Sequence, residues 1–317
     1  MNRNEFINEL KNIKLIAHRL GYQMTKYPEN SLEVLKNIFE NKDLLDVCYG
    51  FEFDICFTKD HVPVVIHDNH IDDITDKCGF IKDYSLVELK NIDFKFRKSL
   101  KNDNSISYKI ITLEEILTFF ENNILLLDNK IIKIETKDYI FSNKKNFDTQ
   151  DLKIFADLID SFPKLSQNIV HLSFWPLNLL FFRNIQKKNN YELTKNDLLC
   201  DYSALLFFTK FMPFLDTISL RIKTKTFPEI NKNNSKRVNN KIRSDIFWMN
   251  FSDAIKEKNL KYVINKYGTV GLYTLNDYDE IDEVCKHISC DFLKKNIDKI
   301  IITTNNPIYL KKLKNKY

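Results

Sequence analysis

Short apolar runs rich in Ile, Val and Phe alternate along the chain with stretches in which apolar residues recur at three- and four-residue spacing. The first pattern suits buried strands and the second suits amphipathic helices. Strands are predicted over Lys14–Ala17, Gly50–Ile55, Val62–His67, Ile131–Thr136, Ile169–Phe174, Leu198–Tyr202, Thr217–Ile222, Val270–Leu275 and Lys299–Thr303. Helices are predicted over Leu32–Glu40, Leu113–Glu121, Gln150–Ile159 and Asp279–His287, with Asn30 as a cap for the first and Glu33 reaching back to it. Alternation of this kind argues for an α/β fold with parallel strands, and 317 residues are enough for one α/β barrel. Nine strand candidates for eight barrel positions mean that one lies outside the ring or is misread, and periodicity does not say which. The segments around 97–108, 139–149 and 229–243 read as polar loops.

Composition changes this picture in two ways. Hydrophobic residues make up 44% of the chain, so a sizeable core is available and disorder is excluded as the dominant state. Glycine is scarce: there are five, and none has the spacing of a GxGxxG or GxxxxGK loop, which excludes a Gly-rich phosphate cradle. Six cysteines without a CxxC pair read as buried thiols of a reducing compartment. The N-terminus has no apolar leader and the longest apolar stretch, Ala204 to Leu215, is interrupted by Lys210, so a soluble cytoplasmic protein is expected. The formal charge of +5 is uneven. Residues 221–243 carry eight Lys/Arg against the single acid Glu229, and the tail 311–317 adds four lysines, so that the rest of the chain is acidic on balance. The basic segment reads either as a solvated loop or as a peripheral contact with an anionic membrane; nucleic acid is not an expected partner.

Four clusters near the ends of predicted strands carry chemistry. They are His18-Arg19, Glu52-Phe53-Asp54, Val64-Val65-Ile66-His67-Asp68 and Ile134-Glu135-Thr136-Lys137. On a strand, positions i and i+2 share a face, so Glu52 and Asp54 point together, as do Glu135 and Lys137. Each cluster alone is a weak signal; together, on strands that a barrel brings to one rim, they form a set. Glu52, Asp54 and Glu135 supply hard oxygen ligands suited to Mg²⁺ or Ca²⁺. His18 and His67 can exchange protons near neutral pH, Arg19 offers a planar fork to phosphate oxygens, and Lys137 adds a second positive charge. No Ser or Cys nucleophile is evident, which favours phosphoryl transfer with attack by an oxygen of water or of the substrate.

The runs LIAHR, PENS, FEFDICFTKD, VPVVIHD, KIETK and HLSF, with LYTLND and IIITTNNP near the end, resemble the glycerophosphodiester phosphodiesterases over essentially residues 13–307. The resemblance implies a single (β/α)8 TIM barrel over 1–317 with a small subdomain inserted at about 68–111, after the His67 strand, and a basic tail 311–317. It implies metal-dependent hydrolysis of glycerophosphodiesters such as glycerophosphocholine and glycerophosphoethanolamine to glycerol 3-phosphate and an alcohol. His18 and His67 would then be the acid/base pair, and Glu52, Asp54 and Glu135 the ligands of one divalent cation, Mg²⁺ or Ca²⁺. Arg19 and Lys137 would hold phosphate, with Tyr273 beside the glycerol. The neighbouring glycerol hydroxyl would attack phosphorus to leave a cyclic phosphate, which water opens. The alternatives are a phospholipase D-like activity on lysophospholipids at a membrane surface and a catalytically silent barrel that binds a phosphorylated ligand.

The sequence departs from the family pattern at several positions. Leu20 intervenes between His18-Arg19 and Gly21, where a less open backbone is expected beside the phosphate. Acidic Asp72-Asp73 stands where an Arg is expected after the His-Asp pair. Tyr273 replaces a tryptophan, and Asn305 replaces a carboxylate in the terminal Thr-Asp-x-Pro motif, a loss expected to be structural.

Overall fold

The computed structural model describes residues 7–9, 11–96, 106–137, 149–174, 176–192, 194–200, 246–250 and 257–312. Its strands are β1 Lys14–Ala17, β2 Gly50–Phe57, β3 Pro63–Val65, β4 Ile131–Thr136, β5 Ile169–Ser173, β6 Lys195–Cys200, β7 Ile246–Asn250, β8 Thr269–Tyr273 and β9 Ile300–Thr304. Parallel pairing runs in the order β1, β2, β4, β5, β6, β7, β8, β9 and returns to β1, where Lys14 to Ala17 pair with Ile301 to Thr304. The ring is therefore closed, as the TIM-barrel expectation requires.

The ninth candidate lies outside the ring. Residues 62–67 contain only the three-residue β3, which runs antiparallel to β2, with Ile55 opposite Val65. The ring of eight is completed by β7, which lies at none of the nine predicted positions and whose run Ile-Phe-Trp-Met-Asn has no alternation to mark it as a strand. The candidate at Thr217–Ile222 lies outside the described residues, as do the basic segment 221–243 and the end of the tail, 313–317. Among the described residues no helix is long and apolar enough to cross a membrane.

Barrel strands alternate inward and outward. Outward side chains of β2 and β4, among them Phe51, Phe53, Ile55, Ile132 and Ile134, join the largest apolar cluster beneath α1 (Leu32–Glu40), α2 (Lys42–Val47), α4 (Leu113–Asn122) and α5 (Thr149–Asp160). Helix α1 contributes Val34, Leu35 and Ile38, the three-and-four spacing seen in the sequence. Its cap differs from expectation: Ser31 occupies the cap position, makes no side-chain cap bond, and donates its hydroxyl to Pro28 O instead. Helix α4 carries the reciprocal cap, with Thr112 N–H donating to Glu115 Oε2 and Glu115 N–H to Thr112 Oγ1.

Inward side chains form a second, smaller cluster of Ile16, Ile131, Val170, Leu172, Leu199, Trp248 and Ile301. Room for the Trp248 indole comes from Gly271 on the neighbouring strand, where a Cβ would lie 2.2 Å from the ring. Between β3 and α4 the chain leaves the barrel and builds its own apolar cluster, in which Cys56, Val64 and Ile66 meet Ile71, Ile74, Ile81, Leu89, Phe94, Tyr108 and Ile110. The short helix α3 (Leu86–Lys90) sits in this excursion. Buried thiols were expected, and Cys48 and Cys56 are buried, but Cys78 is exposed.

Candidate active site

The carboxyl ends of β1, β2 and β4 converge on one point. In the β2–β4 register Glu52 faces Lys133 and Asp54 faces Glu135, so both strands turn their polar residues inward together. Glu52, Asp54 and Glu135 are buried, and one oxygen from each lies within 4.8 Å of the others. Lys137, just beyond β4, reaches back to Asp54 Oδ1 at 3.1 Å and Glu135 Oε1 at 2.7 Å.

After β1 the backbone turns sharply. Arg19, Leu20 and Gly21 are consecutive residues in the left-handed region, at φ 47°, 68° and 79°. That conformation is unfavourable for Arg and Leu. Part of the compensation is visible: Arg19 N–H donates to Glu52 Oε2 at 3.1 Å, and the Leu20 side chain is wholly buried in the outer core. The Arg19 Nη1 donates to both oxygens of Glu29, at 2.9 and 2.8 Å, which fixes the guanidinium through the PENS segment.

The two histidines flank the carboxylates with different partners. His18 Nδ1 lies 2.6 Å from Asn305 Oδ1, and its Nε2 is 3.8 Å from Glu52 Oε2. His67 Nδ1 lies 2.5 Å from the Asp68 carboxylate. Tyr273 meets Phe174 edge to face at 5.8 Å, and Lys137 Nζ stands 5.9 Å from the Phe174 ring. These contacts join Tyr273, through Phe174, to the charged residues. The structure thus gathers His18, Arg19, Glu52, Asp54, Glu135 and Lys137 directly and extends the group to Tyr273 through Phe174.

Burial and crowding set the charges. Burial, reinforced by Asp54 and Glu135, holds the Glu52 carboxyl well above the usual range. Burial also pushes Glu135 up to about 7 despite Lys137. At Asp54 burial acts in the same direction, but Lys137, His67, Arg19 and His18 outweigh it and hold the group low. Lys137 is raised, because its two carboxylate partners outweigh its own burial. His18 is lowered to about 4 by burial and then by Arg19.

Whether a cation fits can be judged from the donors themselves. Glu52 Oε1 and Asp54 Oδ2 are buried and accept no hydrogen bond among the described residues. Buried carboxylate oxygens are costly unless paired, and three of them within 4.8 Å are hard donors turned toward a common point. The cluster could hold one divalent ion.

Several residues at or beneath the site were not singled out from sequence. Glu29, Asp68 and Asn305 orient site residues, and all three stand in motifs quoted from the sequence without that role. Asn305 is 287 residues from His18, a separation no local pattern reveals. A buried trio lies below the carboxylates as well: Lys133 Nζ donates to Asp197 Oδ2 at 2.9 Å, Trp248 Nε1 donates to the same oxygen at 2.8 Å, and the lysine sits 3.2 Å from the indole centroid. The i, i+2 spacing of Lys133, Glu135 and Lys137 was the available signal. His171, within the HLSF run, faces outward instead and is buried between the rings of Phe155 and Phe182.

The chain is similar to known proteins in sequence and in fold. A human glycerophosphodiester phosphodiesterase 1 is 30% identical over 164 residues, 52% of this chain and 43% of the human protein. A glycerophosphodiester phosphodiesterase of Caldanaerobacter subterraneus is 32% identical over 120 residues, 37% of this chain and 44% of that protein. The matched segments thus span less than half the length of these relatives. Among solved structures, a glycerophosphodiester phosphodiesterase from Agrobacterium tumefaciens superposes with a TM-score of 0.56 at 14% identity, covering 95% of this chain and 100% of that one. An Oleispira antarctica phosphodiesterase in complex with the product sn-glycerol-3-phosphate gives 0.55 at 16%, covering 94% and 95%. Both show the shared barrel. The sequence model of the glycerophosphoryl diester phosphodiesterase family matches residues 21–199, more than half of the chain, and the chain belongs to that family.

Proposed function

We propose that this protein hydrolyses glycerophosphodiesters, with glycerophosphocholine and glycerophosphoethanolamine as representative substrates, to glycerol 3-phosphate and an alcohol. The observation that carries the reading is the buried group of Glu52, Asp54 and Glu135, with His18 beside Glu52 and His67 near enough to act on the Asp54 charge. Glu52, Asp54 and Glu135 would hold one Mg²⁺ or Ca²⁺, which when bound supplies Lewis-acid stabilisation of the negative charge on the phosphoryl oxygens. Arg19, fixed by Glu29, and Lys137 hold the phosphate, and Tyr273 lies beside the glycerol.

His18 is uncharged near neutral pH and suits the base, taking the proton of the neighbouring glycerol hydroxyl as its oxygen bonds to phosphorus. His67, oriented by Asp68, delivers a proton to the departing alcohol oxygen as the P–O bond breaks. Water then bonds to phosphorus and gives a proton to His67, while the bond from phosphorus to the glycerol oxygen that had attacked breaks and that oxygen takes a proton from His18, which leaves glycerol 3-phosphate. The distinct apolar cluster of residues 66–110 supports reading about 68–111 as a subdomain inserted into a single barrel domain.

The test is release of glycerol 3-phosphate from a panel of glycerophosphodiesters, with Mg²⁺ or Ca²⁺ and with EDTA. Release that EDTA abolishes and added metal restores is expected. A folded chain that releases none from any member of the panel, with either metal present, overturns the reading.

A further inference from the structure

We infer that Asn305 is a positioning residue for His18, holding its ring as the Nδ1–H tautomer so that the Nε2 lone pair faces the carboxylate cluster. Its role in turnover rests on the phosphodiesterase reading above; the tautomer does not. Which nitrogen of an imidazole carries the proton is decided by the partner of the other nitrogen. Here the partner of Nδ1 is the Asn305 amide oxygen at 2.6 Å, an acceptor, while Nε2 points toward Glu52 Oε2 at 3.8 Å.

The backbone that carries this side chain is held by a mesh of neighbours at the ends of β8 and β9. Asn305 N–H donates to Asn276 Oδ1 at 2.9 Å, and Asn276 Nδ2 donates to Thr274 Oγ1 at 3.2 Å. The next residue is anchored on both sides: Asn306 Nδ2 donates to Gln23 O at 3.1 Å, and Asn306 Oδ1 accepts from Tyr309 N–H at 3.0 Å, capping the helix Pro307–Lys311. Gln23 belongs to the same turn as His18, so the mesh ties the acceptor to the ring it orients. The absence of a carboxylate at 305, expected from sequence to be a structural loss, thus falls beside the proposed base. Asparagine supplies the acceptor without adding a fourth negative charge to a cluster that already has three carboxylates against Lys137.

The test compares the native chain with Asn305→Leu, which keeps the approximate volume and loses the acceptor, and Asn305→Asp, which keeps it. Ring ¹⁵N NMR, with His18 assigned by its loss in His18→Gln, should show protonated Nδ1 and bare Nε2 in the native chain and in Asn305→Asp. Asn305→Leu should lose that signature and lower kcat by roughly 10–100-fold with little change in KM, while Asn305→Asp loses far less. An Nε2–H ring in the native chain, or an Asn305→Leu protein with the native tautomer and native kcat, overturns the inference. If Asn305→Leu does not fold, the native spectrum and Asn305→Asp still decide the tautomer. A native chain that shows the expected tautomer but hydrolyses nothing sinks the functional reading and leaves the positioning one standing.

Discussion

Two buried charge clusters sit inside the same barrel, two residues apart on β4. The upper one gathers Glu52, Asp54 and Glu135 around Lys137, and the lower one joins Lys133 to Asp197 and Trp248. The lower cluster balances one positive charge against one negative, and both side chains are 1% exposed. The upper cluster has more acid than base and borders a rim where His18, His67 and Lys137 retain 20–25% exposure. Each cluster has buried carboxylate oxygen without a hydrogen bond among the described residues, Asp197 Oδ1 below and Glu52 Oε1 and Asp54 Oδ2 above. Repulsion among buried carboxylates works against folding. A barrel that balances the charge of one cluster and leaves the other oversupplied with acid is arranged for stability in the first place and for a positively charged ligand in the second.

The contrast makes a double dissociation the sharpest test, and the largest effect is expected above. Glu135→Gln removes one ligand and one negative charge. Calorimetric titration with Mg²⁺ or Ca²⁺ should show affinity falling by more than the roughly 10–100-fold associated with outer partners of metal ligands, with turnover falling alongside. Thermal stability without added metal should hold or rise, since one repulsive charge is gone. A variant that binds metal normally, or that unfolds for want of the carboxylate, breaks the distinction.

Below, the order reverses. Asp197→Asn leaves the Lys133 ammonium buried without its counter-charge, and breaking a buried pair from one side costs about 3–5 kcal/mol. Urea unfolding should show a loss of that size while metal affinity stays within a few-fold of native. The double variant Lys133→Met/Asp197→Leu should recover most of the stability, because replacing both partners with apolar groups removes the charge and its need together. A lower pair that governs metal affinity more than stability would merge the two clusters into one functional unit.

Both clusters were half visible in the sequence, for a reason of geometry. Strand periodicity places Glu52 with Asp54, and Glu135 with Lys137, because i and i+2 share a face, and the register of β2 against β4 then joins the two pairs. Nothing local announces partners contributed by distant strands, so Asp197 and Trp248 carry no sequence signal, and Asn305 stands out only as a departure from a motif, not as the neighbour of His18. The strands followed the same rule. β2 and β4 stood out by their apolar runs, whereas β7 is five residues with no alternation and β3 mimics a barrel strand although it is an antiparallel companion of β2. The requirement for glycine at 271 is likewise invisible locally, since it comes from Trp248 on the neighbouring strand, whose ring fills the place of the missing side chain.

That last contact gives the smallest and most local test of how rigid the lower cluster is. In Gly271→Ala the new Cβ would sit 2.2, 2.3 and 2.5 Å from three atoms of the indole, closer than real contacts allow, so the ring or the strand must shift. The ring has little freedom: its Nε1 is committed to Asp197 Oδ2, its face lies 3.2 Å from Lys133 Nζ, and its exposure is 1%. Forcing a methyl into such a core costs about 1–3 kcal/mol. Urea unfolding should register a loss in that range, with metal affinity unchanged because the carboxylates lie above the disturbed layer. A variant as stable as the native chain would mean that Trp248 pivots freely, and that the lower trio is an adaptable filling rather than the fixed floor on which the upper cluster is built.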